Sequence, residues 1–154
     1  MTNDANRPVC GPCVVYPELS YRIMAAVFEV HKTLGPGFLE SVYRKSLVEE
    51  LRRTGLRVET ERPVSLAYKG RGVGQHRLDV VVEDQVVIEL KTCRAFCAAH
   101  RQQLMSYLRA TGLKLGILVN FSGARVVSER ILNPRAPRDS SDSPGPTHSQ
   151  SPRQ

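Results

Sequence analysis

The stretch His76–Thr92, HRLDVVVEDQVVIELKT, constrains the fold most, because one hairpin register sorts it into two chemically different faces. With the turn centred on Asp84, Leu78 opposes Leu90, Val80 opposes Ile88 and Val82 opposes Val86, giving a wholly apolar face. The other face takes Arg77 with Lys91, Asp79 with Glu89 and Val81 with Val87. A shift of half a residue in the turn centre would pair Asp79 with Leu90 and mix the two faces, so the hydrophobic pattern selects this register. The loop Glu83-Asp84-Gln85 lacks the glycine that a three-residue hairpin turn favours.

Two carboxylates and a lysine on one face repel or attract according to what lies between them. Side by side, one carboxylate takes up a proton near neutrality unless a cation holds the pair. Hard oxygen donors suit magnesium or manganese, and Lys91, two residues beyond Glu89, would set its ammonium where a phosphate oxygen or an attacking water lies. The hairpin alone fits equally well with an ordinary charged outer face of surface ion pairs, and at this level both readings stand.

Upstream, Ile23, Val27, Val30 and Leu34 recur at helical spacing, with Met24 and Phe28 widening the stripe, up to the corner Gly35-Pro36-Gly37. A second helix is predicted from about Leu39 to Thr54, stopped by Gly55, with Tyr43, Leu47 and Leu51 inward. Glu40 then sits in its first turn, where an acid complements the helix dipole. Arg57–Tyr68 reads as a strand broken or bulged at Pro63, followed by a turn at Lys69-Gly70-Arg71-Gly72 and the strand carrying Asp79. Ala98–Ala110 is helical and ends at Gly112, Leu115–Asn120 suits a strand buried on both sides, and Val126–Leu132 suits a last strand. The order is helix, helix, three strands, helix, strand, strand, an α/β chain with a mixed sheet and helices flanking the central antiparallel hairpin. Residues 1–17 are expected to be a flexible N-terminal segment, 18–133 the folded domain, and the Pro- and Ser-rich residues 134–154 a disordered tail.

Composition narrows the class. The 154 residues suffice for one domain, and no apolar run is long enough to span a bilayer, so no membrane role is expected. The start, MTNDANRPVCGPC, lacks the basic and apolar regions of a secretory signal, which makes the cytoplasm the default location. Residues 21–133 hold 18 Lys and Arg against 11 Asp and Glu, so the basic excess belongs to the folded part and favours a polyanionic partner. Cys10-Gly11-Pro12-Cys13 copies the thioredoxin tetrapeptide without the preceding strand that activates it. Together with Cys93 and Cys97 it offers four thiols for zinc or an iron–sulfur cluster, but scattered free thiols are the expected state.

Asp79 followed by Glu89-Leu90-Lys91 resembles the signature of the PD-(D/E)XK nuclease superfamily, with Leu78 in place of the proline of the name. Gly37-Phe38-Leu39-Glu40-Ser41-Val42-Tyr43 resembles the namesake motif of the GxxExxY protein family within it, and Gln103 with Tyr107 matches a Q-x-x-x-Y pattern of the same group. The resemblance is collinear from about Leu19 to Asn133. It implies a restriction-endonuclease-like core and a magnesium- or manganese-dependent phosphodiesterase acting on DNA or RNA. Asp79 and Glu89 would hold the metal, Lys91 would orient the attacking water and stabilise the phosphate, and Glu40 would add a metal or water ligand. Gln103, Tyr107 and Tyr43 would position substrate, Tyr43 being equally readable as core. A non-catalytic nucleic-acid or protein-binding module on the same fold is the alternative, and a homodimer is left open.

Overall fold

The computed structural model describes residues 14–137. Two helices, α1 (Pro17–Leu34) and α2 (Glu40–Arg53), precede strands β1 (Val58–Tyr68), β2 (Arg71–Val82) and β3 (Val86–Lys91). Helix α3 (Ala98–Thr111) then leads to β4 (Leu115–Asn120) and β5 (Val127–Leu132). The five strands lie side by side in chain order, antiparallel except for the β3–β4 pair, which is parallel because α3 carries the chain back across the sheet. This is the mixed sheet with flanking helices expected from the sequence.

Each face of the sheet has its own core. On one face Ile23, Val27 and Val30 of α1 and Tyr43, Leu47 and Leu51 of α2 pack on Val80, Val82, Ile88, Leu90, Ile117 and Val119. On the other, Leu104, Tyr107 and Leu108 of α3 pack on Val64, Leu78, Val81, Val87 and Leu118. Strand β4 is buried throughout, as a strand covered on both faces must be.

The hairpin register holds, with corrections. Val80 pairs with Ile88, Val81 with Val87 and Val82 with Val86, which centres the turn on Asp84. Glu83 (φ 53°) and Asp84 (φ 55°) take left-handed conformations without glycine. Arginines of the outer strand and its lead-in brace this turn: the Arg57 N–H donates to Glu83 Oε1 at 2.7 Å, and Arg62 pairs with Asp84. The ladder stops at Val80, however, so Leu78–Leu90, Arg77–Lys91 and Asp79–Glu89 are not cross-strand pairs. Leu78 packs against α3 while Val80 packs against α1 and α2, although regular alternation would put both on one face. Strand β1 makes the same change: Val58 belongs to the α1–α2 core and Val64 to the α3 core. Both strands reverse at Glu61 and Asp79, where Glu61 has φ 52°. Pro63 stays in register with Arg77 on the edge strand, and the bulge expected there lies instead between Leu66 and Ala67. The turn that follows is shorter than expected, only Lys69 and Gly70.

Gly116 of β4 has an ordinary negative-φ backbone, yet a Cβ there would stand 2.8 Å from Leu104 Cγ and Cδ2. Glycine is what lets α3 lie against the sheet. Gly116→Ala should therefore destabilise the fold by about 1–3 kcal/mol through overpacking, measured as the urea midpoint. An unchanged midpoint would mean that α3 withdraws without cost.

Candidate active site

Beyond Val80 and Ile88 the strands diverge, β2 continuing beside β1 and β3 beside β4. Such a split leaves backbone donors without ladder partners. Asp79 fills it: its Oδ2 accepts the Leu90 N–H at 3.3 Å, and its Oδ1 takes Arg44 Nη1 of α2 at 3.3 Å. Strand β3 carries Glu89 and Lys91 to the same place, with Lys91 Nζ 3.4 Å from Glu89 Oε1. The far end of β3 is fixed, since Lys91 O accepts the Phe121 N–H and Asn120 grips Cys93 through both its amide atoms.

Glu89 is the unusual group. It is 6% exposed, and its Oε2 is buried with no hydrogen-bond partner. Burial first, then the charge of Asp79, push its carboxyl from the ordinary 4.5 up to about 7, against the opposing pull of Lys91. Glu40, in the first turn of α2, adds a smaller push in the same direction, so its charge reaches the site. A buried, orphaned carboxylate oxygen beside a second carboxylate is what a divalent cation would satisfy, and Asp79 and Glu89 fit that role. Among the described residues no three His, Cys, Asp or Glu side chains form a cage, so Glu40 stands near the pair without closing a three-carboxylate site.

The wall on the α3 side comes from Tyr107. Its hydroxyl is raised above the usual tyrosine range by burial and by Glu89, partly offset by a hydrogen bond from Gln103 one turn away. His76 stacks on the Tyr107 ring, centroids 3.9 Å apart, and burial holds its imidazole below the ordinary range. Gln103 and Tyr107 are thus brought to the site together. Tyr43 is not: fully buried and stacked on Phe121 at 4.6 Å, it donates its hydroxyl to Gly35 O and accepts the Phe38 N–H. It latches the corner between α1 and α2 and has no free face for substrate. Two residues of the site, Arg44 and His76, were not singled out from the sequence. Both follow from the reversal of the strands at Asp79, which periodicity does not reveal. Cys93 and Cys97 are free thiols, and Cys10 and Cys13 lie outside the described residues.

The raised Glu89 gives a pH signature. Its folded carboxyl binds the proton more tightly than the unfolded one, so its contribution is intact below about pH 4.5 and is lost as pH rises through about 7. In chelator, Glu89→Gln should match or exceed the wild type above pH 7, the difference growing from pH 5 to 8 to roughly 3 kcal/mol at most. Magnesium or manganese should stabilise the wild type at pH 8 and leave Glu89→Gln unmoved, as read by thermal melts.

The profile of the PD-(D/E)XK nuclease superfamily matches residues 17–131. No curated protein matches the chain. Among solved structures, the crystal structure of SSO0001 is similar at 24% identity and TM-score 0.50, over 77% of this chain and 60% of that one. An alkaline exonuclease (LHK-Exo) from Laribacter hongkongensis is similar at 16% identity and TM-score 0.43, over 56% of this chain and 52% of that one. The chain therefore spans between about half and 60% of these proteins. With the profile running from the start of α1 into β5, the chain belongs to the PD-(D/E)XK nuclease superfamily.

Proposed function

We propose that this protein is a magnesium- or manganese-dependent phosphodiesterase acting on DNA or RNA in the cytoplasm, with residues 18–133 as its catalytic domain and the GxxExxY group as its place within the superfamily. The observation that carries this reading is the meeting of Asp79, Glu89 and Lys91 at the split between β2 and β3, with Glu89 Oε2 buried and unpartnered. Asp79 and Glu89 would hold the metal, which when bound would neutralise their repulsion and polarise a phosphate oxygen. Glu40 adds negative potential at the mouth and would support the metal or a water molecule. Lys91, held against Glu89, presents a preorganised ammonium toward the phosphate, where it stabilises charge that develops in the transition state and orients the attacking water. Gln103 and Tyr107 bound the site on the α3 side and position the sugar–phosphate backbone.

One observation favours the alternative, a non-catalytic nucleic-acid or protein-binding module. Arg44 already pairs with Asp79 at 3.3 Å, so the carboxylate has a cation without a metal. In the catalytic reading this arginine yields Asp79 to the metal and turns to the phosphate.

Lys91→Ala separates the two. For a nuclease, cleavage of labelled DNA or RNA in magnesium or manganese should fall by about 10²–10³-fold, while nucleic-acid affinity changes by at most about tenfold. Asp79→Asn should abolish cleavage, and so should chelator. A Lys91→Ala protein as active as its parent would sink the mechanism, and binding without metal-dependent cleavage of any substrate would establish the module.

A further inference from the structure

From Arg71 to Asp79, β2 has no strand partner but β1, so residues 62–78 form a two-stranded ribbon that extends the sheet beyond β3. Its base is clamped to α3 by Val64, Leu78 and the His76–Tyr107 stack. From Ala67 to Gln75 every residue is exposed, Tyr68 at 64% and Val73 at 65%. Such a ribbon gains little from burial. At its tip, Lys69 (φ 48°) and Gly70 (φ 80°) form the tight turn that suits a hairpin's twist.

The charge on this arm has one sign. Residues 62–78 carry Arg62, Lys69, Arg71 and Arg77 and not one Asp or Glu. The base cations are engaged, Arg62 with Asp84 and Glu59, and Arg77 with Glu61. At the tip, Arg71 makes no ion pair among the described residues, and Lys69 lies only over the Tyr68 ring, 5.4 Å from its centroid. The same strand bears Asp79 at its inner end and Arg71 at its outer end. At about 3.3 Å per residue these are at most roughly 26 Å apart, about eight base pairs of duplex.

We propose that the β1–β2 arm is a second nucleic-acid contact, laying its tip in the major groove of duplex DNA beside the bond bound at the Asp79 end. This rests on the nuclease reading above and narrows it to duplex DNA. The major groove of B-form DNA admits a two-stranded ribbon, whereas that of A-form RNA is too deep and narrow. Lys69 and Arg71 meet the phosphates at the groove edges, and Tyr68 and Val73 supply apolar contact within it.

The test is binding of labelled duplex DNA in chelator at about pH 6, where the split carries no net negative charge, by wild type and Lys69→Ala/Arg71→Ala, across a salt series. The double variant should melt with the wild type, bind about tenfold or more weakly at physiological salt, and show a salt dependence shallower by about two counterions. On duplexes extending fewer than about eight base pairs from the bound end, the two proteins should be equal. Wild-type binding matched by the variant in affinity and salt slope would overturn the arm and leave the nuclease reading intact. Tighter binding of single strands, or equal binding of duplex RNA through the same two residues, would overturn the groove assignment. A wild type that neither binds nor cleaves any nucleic acid would remove both readings.

Discussion

The site depends on one departure from regular sheet structure, the parting of β2 from β3 after Val80 and Ile88. A continuous ladder would have tied the Leu90 N–H into a backbone pair and set Asp79 opposite Glu89 on the α3 face. Where the strands part, that donor needs an acceptor, and the Asp79 carboxylate supplies it at 3.3 Å. The same bond fixes Asp79 against β3, so Glu89 and Lys91 approach it without a cross-strand pair. Glu61, opposite Asp79 with φ 52°, lets the outer strand follow the reversal. Leu78 can then be buried against α3 while Val80 is buried against α2, and neither core loses an apolar side chain.

That reversal marks the limit of what periodicity could reveal. Near the turn, Val80, Val82, Val86 and Ile88 recur at every second position and share one core while Val81 and Val87 enter the other, so the pairing there follows the sequence pattern. Farther out, Leu78 and Leu90 satisfy the same pattern while facing opposite cores, because apolarity says that a residue is buried but not on which side. The helices were legible almost to the residue, since Gly35 (φ 69°) and Gly112 (φ 74°) stop α1 and α3 with conformations that other residues seldom adopt. Asp79, Glu89 and Lys91 stand out from the hairpin's faces as well as from a short motif, Gln103 and Tyr107 from a motif alone, and Arg44 and His76 escape because what identifies them is contact across the fold. Arg44 is one of four basic residues among the 14 of α2, and nothing in its spacing sets it apart from Lys45, Arg52 and Arg53.

The segment Gly37–Tyr43 shows how a motif can be mainly architectural. Gly37 has φ 106°, and Tyr43, one turn into α2, ties Gly35 O and the Phe38 N–H together through its hydroxyl while its ring stacks on Phe121 beyond β4. This latch fixes where α2 begins. The start of α2 in turn decides where Glu40 and Arg44, four residues apart on one helical face, stand relative to Asp79 and Glu89. An exposed glycine and a buried tyrosine, neither of them lining the split, thus set the positions of two charges beside it.

Those charges have a consequence for how substrate and cation depend on each other. Around the split stand three carboxyl groups, Glu40, Asp79 and Glu89, and two basic side chains, Arg44 and Lys91. With Glu89 protonated the formal sum is zero, and with Glu89 ionised it is −1, so above about pH 7 the bare site repels a phosphate. A divalent cation turns −1 into +1 and reverses that field at the point where a phosphodiester would dock. Cation and polyanion should therefore bind there cooperatively, each lowering the desolvation cost that Glu89 imposes on the other. The exposed cations of the arm lie too far away to share in this coupling at physiological salt, where charges about 26 Å apart are separated by several screening lengths. Affinity gathered along the proposed arm and charge reversal at the split would thus be separate electrostatic functions, carried at the two ends of one strand.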